Sequence, residues 1–204
     1  MTHPANKKQI LIVHGGESFN SYASYLHALK TQPVDYDRLK PRKRWSSWLA
    51  EKLPSTGYDV LTPTFPNGRN ANYDEWKIYF EKLVPFLGDN VQLVGHSLGA
   101  MFLSIYLHNH VLATPVQRLI LISGCYDDET NEELGSFKVG SAQGLEKSAQ
   151  EIHLLHSKED PVVPFSELAK FQADIPSAIS HVFEDRGHFN DETFPELLNI
   201  LKQK

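Results

Sequence analysis

Short apolar runs alternate along the chain with segments whose apolar residues recur every three or four positions. The first run, residues 9–13, is almost continuously apolar, which is typical of a strand buried on both faces. Five similar runs follow at residues 59–62, 91–94, 118–122, 152–155 and 179–183. This alternation predicts an α/β fold, a three-layer α/β/α sandwich of about six mostly parallel strands in the order 2-1-3-4-5-6.

Helical periodicity fills most of the intervals, and residues 98–109 are apolar almost all round, as expected of a helix beside a sheet. Two longer stretches, residues 17–40 and 125–150, depart from the minimal repeat. They follow the ends of the first and fourth strands, where parallel sheets bind ligands. We interpret them as a lid or as the walls of a pocket, with plain surface loops as an equal alternative for the second.

Composition and charge narrow the class of protein. The length of 204 residues suits one domain over residues 1–204, and no apolar run is long enough to span a membrane. The net charge of -5 argues against a nucleic-acid-binding protein, and the basic run Lys40, Arg42, Lys43 and Arg44 is interpreted as a solvated helix start. The single cysteine, Cys125, excludes an intrachain disulfide and favours the cytoplasm.

The most informative segment is Gly95-His-Ser97-Leu-Gly99, a G-x-S-x-G pattern directly after a predicted strand and directly before a predicted helix. In that setting a serine lies on a sharp turn that exposes its hydroxyl above the edge of the sheet. Glycines on either side allow the strand and the helix to approach each other. The sequence therefore predicts that Ser97 is a catalytic nucleophile.

A serine hydroxyl needs a general base, and the base needs an acid that orients it. On a sheet of this kind the expected chain order is serine, acid, histidine. Asp160 follows the fifth predicted strand and His188 follows the sixth, so both reach the same sheet edge as Ser97. Asp127 or Asp128, after the fourth strand, is the alternative acid.

The oxyanion of an acyl-transfer reaction needs preorganised hydrogen-bond donors. The expected donors are the backbone N–H of Leu98 and one from the loop after the first strand, for which Gly16 is favoured and Glu17 is the competitor. His14, in the same loop, is interpreted as a structural hydrogen-bonding residue.

Other chemistries lack support in the sequence. No H-E-x-x-H zinc motif and no glycine-rich phosphate-binding loop occurs, so neither a metal nor a cofactor is expected. Cys125 does not lie in a comparable glycine-flanked turn between a strand and a helix, and it is interpreted as a small buried thiol. Tyr22, Tyr25, Phe65 and Trp76 are candidates for a pocket lining, although core packing explains most aromatic residues.

With these residues in hand, the chain resembles the compact single-domain serine hydrolases of the retinoblastoma-binding type. The resemblance runs over most of the chain and is most specific in Gly95–Gly99, in Asp160-Pro-Val-Val-Pro-Phe165 and in Gly187-His-Phe189. It implies an α/β-hydrolase fold with little or no cap domain, and it carries the triad onto Ser97, Asp160 and His188. The Leu-x-Cys-x-Glu pattern is absent, so no protein partner is carried over.

The sequence thus predicts a serine hydrolase that cleaves a carboxylic ester of a small substrate through an acyl-enzyme. A thioesterase or amidase with the same triad is an alternative, and a non-catalytic binding or scaffolding protein is the rival from another class. No nucleic-acid or membrane partner is expected. The oligomeric state and the natural substrate are left open.

Overall fold

A single parallel sheet forms the centre of the molecule in the computed structural model, which describes residues 8–127 and 133–203. Within those residues its strands are ordered β2-β1-β3-β4-β5-β6, and all five neighbouring pairs are parallel. The predicted strand order is therefore confirmed. The strands are β1 (Lys8–Val13), β2 (Tyr58–Leu61), β3 (Gln92–His96), β4 (Val116–Ile122), β5 (Ala149–Ser157) and β6 (Ile179–Phe183).

Helices cover both faces of this sheet, as the alternating pattern predicts. They are α1 (Tyr22–Thr31), α2 (Trp45–Lys52), α3 (Tyr73–Leu83), α4 (Leu98–Asn109), α5 (Ser166–Asp174) and α6 (Pro195–Lys202). Short 3₁₀ turns lie at Tyr36–Leu39, Pro54–Thr56, Val84–Phe86 and Leu145–Lys147. No helix within residues 8–127 and 133–203 is long and apolar enough to cross a membrane.

Two apolar clusters form because successive side chains of a strand point to opposite faces of the sheet. Leu11 and Val13 of β1 pack on the side of α3, α4 and α5. Ile10 and Ile12 pack on the opposite side, with α2 and α6. The buried run of β1 therefore serves both layers, which is why it shows no alternation with polar residues.

The two longer stretches differ in how they join this core. Helix α1 contains no buried residue and lies outside both apolar clusters. The stretch after β4 is packed into the core instead, since Phe137, Ala142 and Leu145 are fully buried. In the described residues after position 132, this stretch is a packed wall rather than a plain surface loop.

Two carboxylates of α5 bind the stretch after β4. Glu167, which is fully buried, accepts hydrogen bonds from the backbone N–H groups of Tyr126 and Asp127. Asp174 accepts hydrogen bonds from the Tyr126 hydroxyl, at 2.5 Å, and from the N–H of Ala142, at 2.7 Å. The wall therefore depends on α5, the helix that follows the Asp160 segment.

Candidate active site

Ser97 lies on a strained turn between β3 and α4. Its backbone angles are φ 54° and ψ −121°, in a region that non-glycine residues rarely occupy. Its N–H donates to the Ile122 carbonyl oxygen at 2.8 Å, so the strained residue is fixed to the end of the neighbouring strand. Strain of this kind persists where the surroundings over-determine it, often at functional sites.

The two glycines of the turn are required by close packing. A Cβ at Gly95 would lie 2.6 Å from the Gly99 carbonyl oxygen and 2.7 Å from the Ala100 nitrogen. A Cβ at Gly99 would overlap the carbonyl oxygen of Val13, at the end of β1. Any larger residue would therefore push α4 away from β1 and β3 and would move Ser97.

Asp160 and His188 form a pair at the same edge of the sheet. His188 Nδ1 lies 2.9 Å from Asp160 Oδ2 and 3.1 Å from Oδ1. The Asp160 side chain is fully buried, and that of His188 is 10% exposed. Asp160 Oδ1 also accepts hydrogen bonds from the N–H groups of Val162 and Val163, which fix the carboxylate towards the imidazole.

These contacts set the charge of Asp160 and the tautomer of His188. Burial raises the pKa of the Asp160 carboxyl, but the hydrogen bonds and charge of His188 and the two valine N–H groups outweigh it, so that the pKa is lowered. An ionised carboxylate only accepts hydrogen bonds, so it holds the proton on His188 Nδ1. The Nε2 lone pair is then available to accept a proton.

The loop that carries His188 is held from three sides. The indole Nε1 of Trp45 donates to the Phe189 carbonyl oxygen at 3.0 Å, and Ser157 Oγ accepts a hydrogen bond from the Arg186 N–H. Phe189, with φ 52°, is buried and stacks on Phe194. These contacts fix the position of the imidazole from α2, β5 and the start of α6.

His96, directly before Ser97, makes a further contact with this loop. Its Nε2 lies 2.9 Å from the His188 carbonyl oxygen, and the two rings are 5.0 Å apart. Burial, with the nearby His188, lowers the pKa of His96 to about 3. A neutral His96 with its proton on Nε2 donates this bond. The role of His96 was not predicted, because partners that are 92 positions apart in the chain leave no local sequence signal.

The Ser97 hydroxyl forms no hydrogen bond with any of the described residues, so it is not engaged with His188 in this structure. Hydrogen bonds of a catalytic site are often long or absent before substrate binds. Ser97 and His188 are nevertheless linked, because His96, the residue before Ser97, is hydrogen-bonded to the backbone of His188.

The loop after β1 lies against the start of α4. A Cβ on Gly15 would be 3.1 Å from Ser97 Cβ, and one on Gly16 would be 3.3 Å from Leu98 Cδ2. The Glu17 N–H is already bonded to the Gly68 carbonyl oxygen at 2.9 Å. Of the two competing donors, only the N–H of Gly16 is left without a partner among the described residues.

Leu98 supplies the second unengaged donor of this site. As the first residue of α4, its N–H has no acceptor within the helix, and none of the described residues outside the helix accepts it. The N-terminal end of α4 also carries a partial positive charge. The N–H groups of Gly16 and Leu98 are thus both unengaged among the described residues, beside the turn that carries Ser97.

His14 has both ring nitrogens occupied. Nδ1 lies 2.6 Å from the Gly15 carbonyl oxygen, and Nε2 accepts the Phe65 N–H at 2.8 Å. It therefore joins the loop after β1 to the segment after β2 and holds the Gly16 backbone in place.

Neither alternative acid, Asp127 or Asp128, is seen in contact with His188 among the described residues. Asp127 accepts two hydrogen bonds from Lys170 Nζ, both at 2.7 Å, whereas Asp160 contacts the imidazole directly. Asp128 lies outside the described residues. Cys125 is buried, with its thiol 2.9 Å from the Asp127 carbonyl oxygen.

Comparisons with known proteins identify the family and the fold of this chain. The family model described as "Serine hydrolase" matches residues 36–201. YdeN of Bacillus subtilis strain 168 is 29% identical over 164 residues, which cover 78% of this chain and 86% of YdeN. The serine hydrolase RBBP9 of Rattus norvegicus is 28% identical over 163 residues, which cover 78% of this chain and 84% of RBBP9.

The crystal structure of the B. subtilis ydeN gene product superimposes with a TM-score of 0.75 at 23% identity. The match covers 95% of this chain and 96% of that one, so the same fold extends over both proteins.

Proposed function

Because the chain belongs to the serine hydrolase family, we propose that it hydrolyses a carboxylic ester of a small substrate through Ser97, Asp160 and His188. The observation that carries the proposal is the pairing of a buried Asp160 with His188 beside a strained serine turn. Serine, imidazole and carboxylate are the groups that two-step acyl transfer uses. No cofactor is required for this chemistry.

The first half of the reaction forms an acyl-enzyme. His188 Nε2 takes the proton of the Ser97 hydroxyl as Oγ attacks the carbonyl carbon. The carbonyl oxygen becomes negatively charged and accepts hydrogen bonds from the N–H groups of Gly16 and Leu98. The bond to the leaving alcohol then breaks, and His188 returns the proton to that alcohol.

The second half releases the acid. A water molecule gives a proton to His188 Nε2 and attacks the ester carbon of the acylated Ser97. The oxyanion forms in the same place, and Ser97 leaves as the alcohol when His188 returns the proton. Asp160 keeps its negative charge throughout and stabilises the imidazolium that appears in both halves.

A carboxylic ester is the leading substrate class, and thioester or amide cleavage would use the same groups. The rival proposal is a non-catalytic binding protein that only retains the fold. The presence of an acid, a base and unengaged N–H donors near one serine argues against that proposal. A lone cysteine supports the cytoplasm as the site of action.

The test is hydrolysis of p-nitrophenyl acetate by the parent protein and by Ser97→Ala, with Ser123→Ala as the matched control. Ser123 also has a positive φ, 45°, at the end of a neighbouring strand, but it is fully buried. Loss of a triad serine lowers kcat by on the order of 10⁶. We expect turnover by the parent and by Ser123→Ala only; equal turnover by Ser97→Ala would contradict the proposal.

A further inference from the structure

A cleft of about 920 Å³ opens between the N-terminal end of α1 and the loop that leads from β2 to α3. Its position relates it to the active site through Gly68, which forms part of its wall. The Gly68 carbonyl oxygen accepts the Glu17 N–H, and it lies 2.6 Å from where a Cβ of Gly16 would be. The Gly68 backbone thus contacts the loop after β1 on one side and lines the cleft on the other, so the cleft lies next to Gly16.

One wall of the cleft is aromatic. Phe19 and Tyr25 have ring centroids 5.4 Å apart, and Tyr22 and Tyr25 have theirs 5.9 Å apart, so the three rings form a continuous strip. Tyr22 is 68% exposed, which leaves its ring open to a ligand. Tyr22 and Tyr25 were predicted as candidates for a pocket lining, and both line this cleft. The other two candidates, Phe65 and Trp76, are buried in the core.

Polar side chains that can form hydrogen bonds with a ligand also line the cleft. Arg69 and Asn70 have side chains with no hydrogen-bond partner among the described residues, and both line the cleft. Glu75 lines it as well and accepts a hydrogen bond from the Asn67 amide at 2.8 Å. Hydrogen-bond donors and acceptors therefore line the same cleft as the aromatic strip.

The lining favours an uncharged polar ligand. Its two charged side chains among the described residues, Arg69 and Glu75, have opposite signs and leave no net charge. No leucine, isoleucine, valine or methionine of the described residues lines the cleft, so an aliphatic chain would find little apolar surface to displace water from. Aromatic rings can instead pack on the C–H faces of a sugar ring while amides bind its hydroxyl groups.

We propose that this cleft binds the sugar part of a short-chain acyl ester of a carbohydrate, which is the alcohol that leaves when Ser97 is acylated. This inference rests on the proposed function for its catalytic step, but the binding site does not depend on it. The C–H face of the ring stacks on Tyr22 and Tyr25, and its hydroxyl groups bond to Arg69 and Asn70. The volume, near the upper end for small-ligand sites, accommodates one or two sugar rings.

Two esters with alcohols of similar length test the substrate class. The values of kcat/KM are compared for 6-O-acetyl-D-glucose and for n-hexyl acetate, with the parent protein, Tyr22→Ala and Asn70→Ala. The control variant is Tyr36→Ala, which removes an equally exposed tyrosine, 72% exposed, that does not line the cleft. We expect the parent to prefer the sugar ester, and we expect both cleft variants to lower its kcat/KM by about tenfold, as each loses one favourable contact. Tyr36→Ala should leave kcat/KM unchanged for both esters.

Binding without turnover separates this inference from the proposed function. Saturation-transfer NMR of methyl β-D-glucopyranoside is recorded with the parent and with Ser97→Ala, and again after Tyr22→Ala. A signal that Tyr22→Ala abolishes supports the cleft even if no ester is hydrolysed, in which case the proposed function alone fails. Absence of a signal together with a preference for n-hexyl acetate overturns the inference while the esterase activity stands.

Discussion

His96 donates a hydrogen bond from its Nε2 to the backbone carbonyl oxygen of His188, across 2.9 Å. The residue that precedes the proposed nucleophile thus holds the segment that carries the proposed base. The contact leaves the His188 ring free to pair with Asp160 through Nδ1. The proposed nucleophile and base are consequently positioned by one shared interaction, in addition to the separate strands that precede them.

Replacing His96 tests this positioning role. We expect His96→Ala to lower kcat for p-nitrophenyl acetate by roughly 10- to 100-fold, because a small displacement of a catalytic group is costly. The KM should change little, since His96 makes no proposed contact with substrate. His96→Gln, whose amide can donate to the same carbonyl oxygen, should recover part of the loss. Equal kcat values for the parent and His96→Ala would show that the contact does not position His188.

The neutral state of His96 also gives the stability a pH dependence. Its pKa in the folded protein is about 3, below the 6.5 of an unperturbed histidine, so the unfolded state binds the proton first as the pH falls. The contribution of neutral His96 to the free energy of unfolding is therefore fully present above about pH 6.5. It is lost progressively as the pH falls from 6.5 to 3. From these two values, His96 alone should lower the free energy of unfolding by about 2 kcal/mol between pH 7 and pH 5.

Urea denaturation at pH 7 and at pH 5 measures this effect. The difference between the two pH values should be smaller in His96→Gln than in the parent, whatever the variant does to stability at pH 7. Other histidines with a lowered pKa, such as His156 and His153, contribute to the remaining slope. An equal difference in both proteins would mean that His96 is not held neutral by the fold.

The sequence predicted those features that depend on local pattern. Strand order followed from apolar runs and helical intervals, and the turn at Ser97 followed from a motif that lies between a strand and a helix. Residues 98–109 were predicted as a helix and form α4 with those bounds. In each case the physical cause lies in residues that are close together in the sequence. That cause is burial on both faces for the strands and flanking glycines for the tight turn.

Features that depend on contacts between distant segments were not predicted. The bonds from Trp45 to Phe189 and from His96 to His188 join positions 144 and 92 residues apart. Nothing in their local sequence distinguishes them from other buried aromatic residues. The stretch after β4 was likewise ambiguous, because its packing depends on Glu167, which lies on α5.

Asp160→Asn tests the role of the carboxylate. The amide keeps the size of the side chain, but its NH₂ group cannot accept the His188 Nδ1 proton, and the imidazolium loses its counter-charge. We expect kcat to fall by about 10⁴, as loss of the same group does in other triads. Nitrogen NMR of the His188 ring would detect the accompanying change of tautomer, which a merely structural Asp160 would not cause.

Glu167 is expected to stabilise the wall after β4. Glu167→Ala removes the acceptor for the N–H groups of Tyr126 and Asp127 and leaves them without that bond, at a cost of about 2–4 kcal/mol. Glu167→Gln keeps an oxygen for them and should cost less. Glu146→Ala, at an exposed position, is the control. Chemical denaturation measures all three, and a Glu167→Ala variant as stable as the control would contradict the assigned role.

Covalent labelling by a fluorophosphonate tests the central claim most directly, because the reagent requires a serine activated by a base next to oxyanion donors. The parent, Ser97→Ala, His188→Ala and Ser123→Ala are labelled, and the modified peptide is identified by mass spectrometry. We predict that the parent and Ser123→Ala carry the label on Ser97 and that Ser97→Ala and His188→Ala do not react. A folded parent that stays unlabelled, or a label on another residue, would contradict the account.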